Sequence, residues 1–268
     1  MPVVEIIATG NELVFGQLVD TNSSYIAKRV TELGGTVKGV HIVGDEIEHI
    51  KEAILTSLAR GVDILVTTGG LGPTFDDRTI QAVAETLNRK VVTDSTALEW
   101  LKERYAQLSK IRGVNIELTP QRLKMAMLVE GSEPLDNPVG SAPGQKIKVG
   151  KTVLICLPGV PFEMKPMFEK HVVPMLLGLT TGRALVKNLR VKMMEADLAP
   201  LVEIVVREFP SVYVKMYVGD TKTGVGVRTD IVVKGADLKD CEATLCVALA
   251  RLEELVRERG GSLASDAG

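Results

Sequence analysis

The segment Gly69-Gly70-Leu71-Gly72-Pro73-Thr74, followed by the acid pair Asp76-Asp77, holds the residues of this chain best placed to do chemistry. Glycines reach positive φ cheaply and leave backbone N–H groups uncovered, so consecutive amides can form a nest for an anion. A helix is expected close behind, and its unpaired N–H groups and positive dipole end favour a phosphate. The segment fits neither the P-loop spacing nor the GxGxxG fingerprint of dinucleotide folds. A tight strand-to-helix turn that binds nothing is the alternative.

Asp76 and Asp77 admit two roles. An Asp just before a helix commonly caps it, and one of the pair is expected to do so. Two carboxylates beside a phosphate site would also repel the anion unless a cation lay between them, which points to a divalent metal, most simply Mg²⁺. Glu12 and Asp45 are further candidate ligands or water-orienting groups. His41, His49 and His171 are scattered, so neither a zinc site nor a His-based triad is indicated, and no Ser sits in a GxSxG elbow. Phe75 is expected to pack under the loop, with stacking on a base as the alternative.

These residues gain meaning from the elements that carry them. Val3–Ala8, Thr36–Val43 and Asp63–Thr67 read as strands. They alternate with helices over Asn22–Leu33, Ile47–Leu58 and Arg78–Leu87, a pattern that demands a mostly parallel sheet covered on both faces. Ligands of such sheets bind where the strands' carboxyl ends release their loops. Those exits here are Thr9-Gly10-Asn11-Glu12, Gly44-Asp45-Glu46, the Thr68–Asp77 stretch and Pro158-Gly159-Val160-Pro161-Phe162-Glu163. Ser95–Leu108 is a further helix with Ser95 as its cap. Ser109–Gly144 is hard to read beyond a short helix starting at Thr119-Pro120. Lys146–Val149 and Thr152–Leu157 form a hairpin around Gly150-Lys151, and Pro161–His171 is helical.

From about Thr180 the pattern restarts. Strands are expected over Leu189–Met194, Val212–Val218 and Asp230–Lys234, and helices over Asp197–Phe209 and Leu238–Arg259. Leu238, Cys241, Leu245, Leu249, Leu252 and Val256 mark the buried stripe of the last helix. The tail Ala264–Gly268 is expected to fray.

Composition narrows the function classes. Of the 268 residues, 45% are hydrophobic and 25% charged, the balance of an ordinary globular protein. A net charge of −2 and 4% aromatic residues argue against nucleic acid as a partner. No apolar run is long enough to span a membrane, and no signal peptide is apparent, so a cytoplasmic address is expected. The three cysteines, Cys156, Cys241 and Cys246, show no CxxC spacing and read as buried free thiols.

Taken together, these loops resemble the CinA family. The resemblance rests on Thr9-Gly10-Asn11-Glu12-Leu13 with Gly16-Gln17 and Asp20-Thr21-Asn22, on Val43-Gly44-Asp45, and on Thr68–Thr74 with Asp76-Asp77. It extends through Asn137-Pro138-Val139-Gly140 with Ala142-Pro143-Gly144 to Leu157-Pro158-Gly159-Val160-Pro161 with Glu163-Met164, covering roughly residues 3–175. It implies a three-layer αβα domain of the molybdopterin-binding, MoaB/MogA-like fold over 1–178. A small KH-like α+β domain (β-α-β-β-α) would follow over 183–263, and the nicotinamide-nucleotide amidase domain of longer CinA proteins is not expected. Asn11 departs from a common Gly-Asp-Glu sequence and Phe75 from a polar or basic residue, but the acids remain. Met193-Met194-Glu195 and Val212–Val218 lack the family's glycine signals, so no ligand role is expected of the second domain.

The activity implied is a divalent-metal-dependent ADP-ribose pyrophosphatase yielding AMP and ribose 5-phosphate. Asp77, Asp45 and Glu12 would be catalytic. Gly69 to Thr74, Gly10, Asn11, Asn137, Gly140, Pro158 and Gly159 would bind phosphate or nucleotide, and Asp76, Asp77 and Asp45 would hold Mg²⁺, Mn²⁺ or Co²⁺. The family suggests a homodimer, whereas pterin-binding relatives of the fold suggest a trimer. Two rival readings stand beside it: a protein that binds or adenylylates molybdopterin, and a nucleotide-binding module without turnover.

Overall fold

Strand β1 (Val3–Thr9) starts a run of apolar residues buried along almost its whole length, as a central strand of a two-sided layer must be. The computed structural model describes residues 1–217 and 226–265. Residues 2–31 and 35–179 make one unit; Met1, residues 32–34 and the chain from Thr180 onward make another.

In the first unit, α1 (Asn11–Val14) and α2 (Thr21–Glu32) lead to β2 (Thr36–Val43), α3 (Ile47–Ala59), β3 (Ile64–Thr68) and α4 (Thr79–Thr86). Then come β4 (Val91–Thr93), α5 (Ser95–Arg112), α6 (Pro120–Leu123), β5 (Met127–Val129) and β6 (Glu133–Leu135). The unit closes with β7 (Gly144–Val149), β8 (Thr152–Leu157), α7 (Pro161–Met167), a π-helical turn over Phe168–Val172, and α8 (Val173–Leu179).

The six-stranded sheet has the order β2-β1-β3-β8-β7-β6. Its first four strands are parallel. The hairpin at Gly150-Lys151 sets β7 antiparallel to β8, and β6 in turn pairs antiparallel with β7, so the sheet is mostly rather than wholly parallel. Ile50 and Ile54 of α3, Val83 of α4 and Leu101 of α5 pack with Ile7, Leu65 and Leu154 into a core of the unit.

Several local expectations change. Strand β3 starts at Ile64, one residue after Asp63, whose carboxylate accepts the Val3 amide at 2.8 Å. Asp94, not Ser95, caps α5, accepting from the Ala97 amide at 2.8 Å. The stretch after α5 holds β5 and β6, and β4 precedes it; each has three residues, too few for a period to show.

Glu5 is a charged residue in the middle of buried β1. Its side chain is fully buried and faces Arg60 at 3.1 Å and His41 at 3.2 Å. Burial pushes its pKa up, but the hydrogen bonds from neighbouring donors, Arg60 and His41 among them, outweigh this and hold it below the ordinary glutamate value. A carboxylate with a depressed folded pKa stabilises the protein above its unfolded pKa, and that contribution is lost as pH falls through the folded value. Glu5→Ala is therefore expected to cost about 2–4 kcal/mol at pH 7, discounted from a fully buried pair because Arg60 is partly exposed. In urea unfolding the gap from wild type should shrink from neutral pH toward acid; a gap independent of pH would assign the loss to packing alone.

The second unit comprises β9 (Arg183–Lys192), α9 (Glu195–Glu208), β10 (Val212–Tyr217), β11 (Val227–Gly235), α10 (Leu238–Glu258) and β12 (Ser262–Ser265). Its four strands form an antiparallel sheet in the order β10-β11-β9-β12. Leu198, Leu201 and Val205 of α9 join Cys241, Leu245, Ala248, Leu252 and Val256 of α10 in its core. Strand β9 begins six residues before the expected Leu189 and ends at Lys192. Val218 lies outside the described residues. Leu238, expected on the buried stripe, is 50% exposed at the helix start, and Cys246 is exposed, unlike Cys156 and Cys241. The tail does not simply fray: Ser262–Ser265 pairs with Leu189–Lys192, and 266–268 lie outside the described residues. Among the described residues no helix is long and apolar enough to cross a membrane.

Candidate functional site

Parallel neighbours β1, β3 and β8 deliver three loops to one edge of the sheet, and a hydroxyl network locks them together. The Gly69 amide donates to the Leu157 carbonyl at 3.0 Å, joining the loops after β3 and β8. Thr79, the first residue of α4, donates its hydroxyl to the Gly69 carbonyl at 2.8 Å and its amide to the Gly70 carbonyl at 3.2 Å. The hydroxyl of Thr9 lies 3.2 Å from that of Thr79. Asn22 donates from Nδ2 to the Thr68 hydroxyl at 2.9 Å and to the Gly159 carbonyl at 2.7 Å, while Thr68 donates to the Pro158 carbonyl at 3.0 Å. The glycine loop is thus fastened by small polar side chains that sequence reading did not single out. Thr9, Asn22 and Thr68 stood in the quoted motifs without a role, and Thr79 did not appear there.

The locked loops surround a cavity of about 580 Å³. Gly10, Gly69 to Thr74, Pro158 and Gly159 line it, together with the carboxylate residues Glu12, Asp45, Asp76, Asp77 and Glu163. No lysine, arginine or histidine is among its lining residues. Leu71, Tyr105, Met125 and Ala142 give one wall an apolar surface. Tyr105 comes from α5, which the sequence marks as a helix without a site role for this residue, Met125 from the stretch that is hard to read, and Glu163 was named in its loop without a role.

Three expected binding residues, Asn11, Asn137 and Gly140, are not among the lining residues. Asn11 and Asp45 clasp each other: the Asn11 amide donates to Asp45 Oδ2 at 2.9 Å, and the Asp45 amide to Asn11 Oδ1 at 3.3 Å. Asn137 uses its whole amide internally. Its Nδ2 donates to the Ala142 carbonyl at 3.0 Å and to Glu163 Oε2 at 2.7 Å, and its Oδ1 accepts the Gly140 amide at 2.7 Å. Gly140 leaves room for that clasp, since a Cβ there would lie 2.1 Å from the Glu163 carboxylate.

The acid pair does not cap α4, whose N-cap position is Arg78 without a side-chain cap. Asp77 Oδ2 instead accepts the Thr74 amide at 2.8 Å and the Thr74 hydroxyl at 2.5 Å, and the same hydroxyl meets Asp76 Oδ1. The bond from Thr74 holds Asp76 below the ordinary aspartate value, with Lys124 and Arg78 adding to the effect. Asp45 shifts the other way: burial raises its pKa, and the charges of Glu12, Asp76 and Asp77 raise it further. The four acids therefore share one electrostatic field. Phe75 does not pack under the loop and is 83% exposed.

Among the described residues no three His, Cys, Asp or Glu side chains are gathered into a ready-made metal cage. The donor set is nevertheless all-oxygen and anionic. That suits a hard divalent cation that keeps its waters and completes its shell with phosphate oxygens, rather than zinc or a soft metal.

Comparison with known proteins places this geometry. Residues 5–178 match the family described as "Probable molybdopterin binding domain". A protein from Aeropyrum pernix is 38% identical over 264 residues, covering 97% of this chain and 96% of its own. One from Pyrococcus furiosus is 42% identical over 206 residues, covering 76% of this chain and 81% of its own. The crystal structure of the protein CinA, of unknown function, from Thermoplasma acidophilum matches with a TM-score of 0.57 at 36% identity. That match covers 65% of this chain and 98% of the other. Over residues 5–178 the chain belongs to the family described as "Probable molybdopterin binding domain".

Proposed function

We propose that this protein hydrolyses the diphosphate of ADP-ribose, giving AMP and ribose 5-phosphate, with a divalent metal ion. One observation carries the reading: the glycine loop and five carboxylate residues line one cavity, with no basic side chain in its lining. An anion enters such a cavity only with a cation that offsets the acids, and a diphosphate with its metal is an anion of that kind. Asp45, Asp76 and Asp77 would hold the metal, which when bound would offset phosphate charge and make water a better nucleophile. The amides of Gly70, Leu71 and Gly72 would orient the diphosphate and stabilise charge that develops on its oxygens, since Pro73 has no N–H and the Gly69 and Thr74 amides are held by Leu157 and Asp77. Glu12 would hold the attacking water and take its proton, and the apolar wall of Leu71, Tyr105, Met125 and Ala142 would exclude bulk solvent.

The family match favours a second reading, in which the ligand is a pterin bearing a phosphate. Incubating the purified protein with ADP-ribose and Mg²⁺, Mn²⁺ or Co²⁺, and reading AMP by chromatography, separates the two. AMP release that stops with EDTA and returns with metal is the expected result. No AMP with any metal, together with saturable binding of a pterin phosphate, would replace the first reading by the second.

A further inference from the structure

We propose a second ligand site on the other side of the glycine loop, fitted to an aromatic or apolar ring that carries one anionic group. A cavity of about 420 Å³ lies there, within the size range of small-molecule sites. It shares Gly70, Leu71, Gly72, Asp77 and Met125 with the acidic cavity, so the loop is a partition between them. The charge changes sign across that partition. The acidic cavity has no basic lining residue, whereas this one has Arg78 and Lys124 against the single acid Asp77.

The rest of the lining is largely apolar: Ile80, Val91, Leu128 and Pro143 form the walls, with Phe75 and Met127 beside them. Phe75 is 83% exposed and Met127 37% exposed, so the mouth offers an aromatic face and a thioether to a ring rather than to the core. The two cations keep donors to spare. Arg78 spends Nε on the Phe75 carbonyl at 3.2 Å and lies 3.6 Å from Glu46 through Nη1. Lys124 donates one of its three N–H groups to the Thr74 carbonyl. An apolar pocket with two cations selects a ring for its walls and an anion for its rim; a neutral ring would forgo the charge-assisted bonds.

The site also touches the acid pair. Lys124 holds the Thr74 carbonyl, and Thr74 gives its amide and hydroxyl to Asp77. An anion that draws Lys124 away therefore acts on the loop that positions Asp77. The assignment does not depend on what the acidic cavity binds.

Naphthalene-2-sulfonate is a suitable probe, with naphthalene-2-ol, neutral at pH 7, as its uncharged counterpart, both titrated by calorimetry. The sulfonate is expected to bind one per chain and at least about tenfold more tightly than the alcohol, the factor expected for a charge-assisted hydrogen bond. The double variant Arg78→Gln/Lys124→Gln, checked for native circular dichroism, should lose at least about tenfold in sulfonate affinity. Asp45→Asn, in the acidic cavity, should retain it, so loss of ADP-ribose hydrolysis and loss of this site are separable. Equal affinity for the two probes, or no effect of the double variant, would overturn the proposal. Absence of probe binding together with concentration-dependent self-association would instead give the face to a second copy of the chain.

Discussion

Asp77→Asn is expected to lower the turnover of ADP-ribose by at least about 100-fold, the scale on which removal of one preorganised electrostatic group acts. The substitution separates charge from geometry. Asp77 Oδ2 accepts both the amide and the hydroxyl of Thr74, and an asparagine retains a carbonyl oxygen that can take the amide bond. The carboxylate also lies against the glycine loop, since a Cβ on Gly72 would come within 2.6 Å of Asp77 Oδ2. The near-isosteric change should keep that fit, so stability should move by no more than about 1 kcal/mol. What disappears is one negative charge from the field that Glu12, Asp45 and Asp76 share, and with it one partner for the cation. A slow variant with a wild-type melting temperature assigns Asp77 to the chemistry. Near-normal turnover under the same metal concentrations would remove it, and a joint fall of turnover and melting temperature would make it a loop support.

How much of this was legible beforehand depends on the range of the interaction. Strand β2 was read with its observed bounds, and β1, α2 and α3 to within about a residue at each end, because long elements buried on one or two faces print their period in the sequence. The glycine loop and its acids were visible because glycine and carboxylate runs at strand exits are uncommon. What Asp76, Asp77 and Asn137 touch was not visible. An Asp before a helix commonly caps it, yet here Thr74 folds back and takes both acids, a three-residue loop closure that competes with capping. Asn137 reads as a binding residue but satisfies its own loop and Glu163, contacts set by the fold 26 residues away. The three-residue strands β4, β5 and β6 are too short for any period, and Met125, just before β5, was hidden with them; Tyr105 lay in a helix that was read, but a helical stripe does not say that one of its residues faces a cavity. The terminal strand β12 was missed for a related reason: four residues near a chain end look frayed until their partner β9 is known.

A large loss of stability is expected from Gly69→Ala, and it tests the locked-loop architecture rather than any ligand. Gly69 sits at φ +107, and a Cβ there would lie 2.3 Å from the Thr9 carbonyl oxygen and 2.7 Å from the Thr9 hydroxyl. Both atoms belong to the end of β1, a buried strand paired on both sides, so they cannot retreat as a surface side chain would. The opposite side is closed as well: the Gly69 amide is held by the Leu157 carbonyl, and Gly159 approaches so closely that its own Cβ would meet Gly69 Cα at 3.1 Å. Backbone strain and overpacking each cost about 1–3 kcal/mol, and here both apply, so a loss on the order of 3 kcal/mol or more is expected in urea unfolding. Gly150→Ala provides the contrast. Its φ is +58, but nothing lies within 4 Å of an added Cβ, so only the left-handed conformation is penalised, at about 1–2 kcal/mol. If the two variants lost the same amount, the Thr9–Gly69 approach would not be a tight contact in solution. The loops would then be free to part, and the cavity they enclose would be assembled by its ligand rather than by the fold.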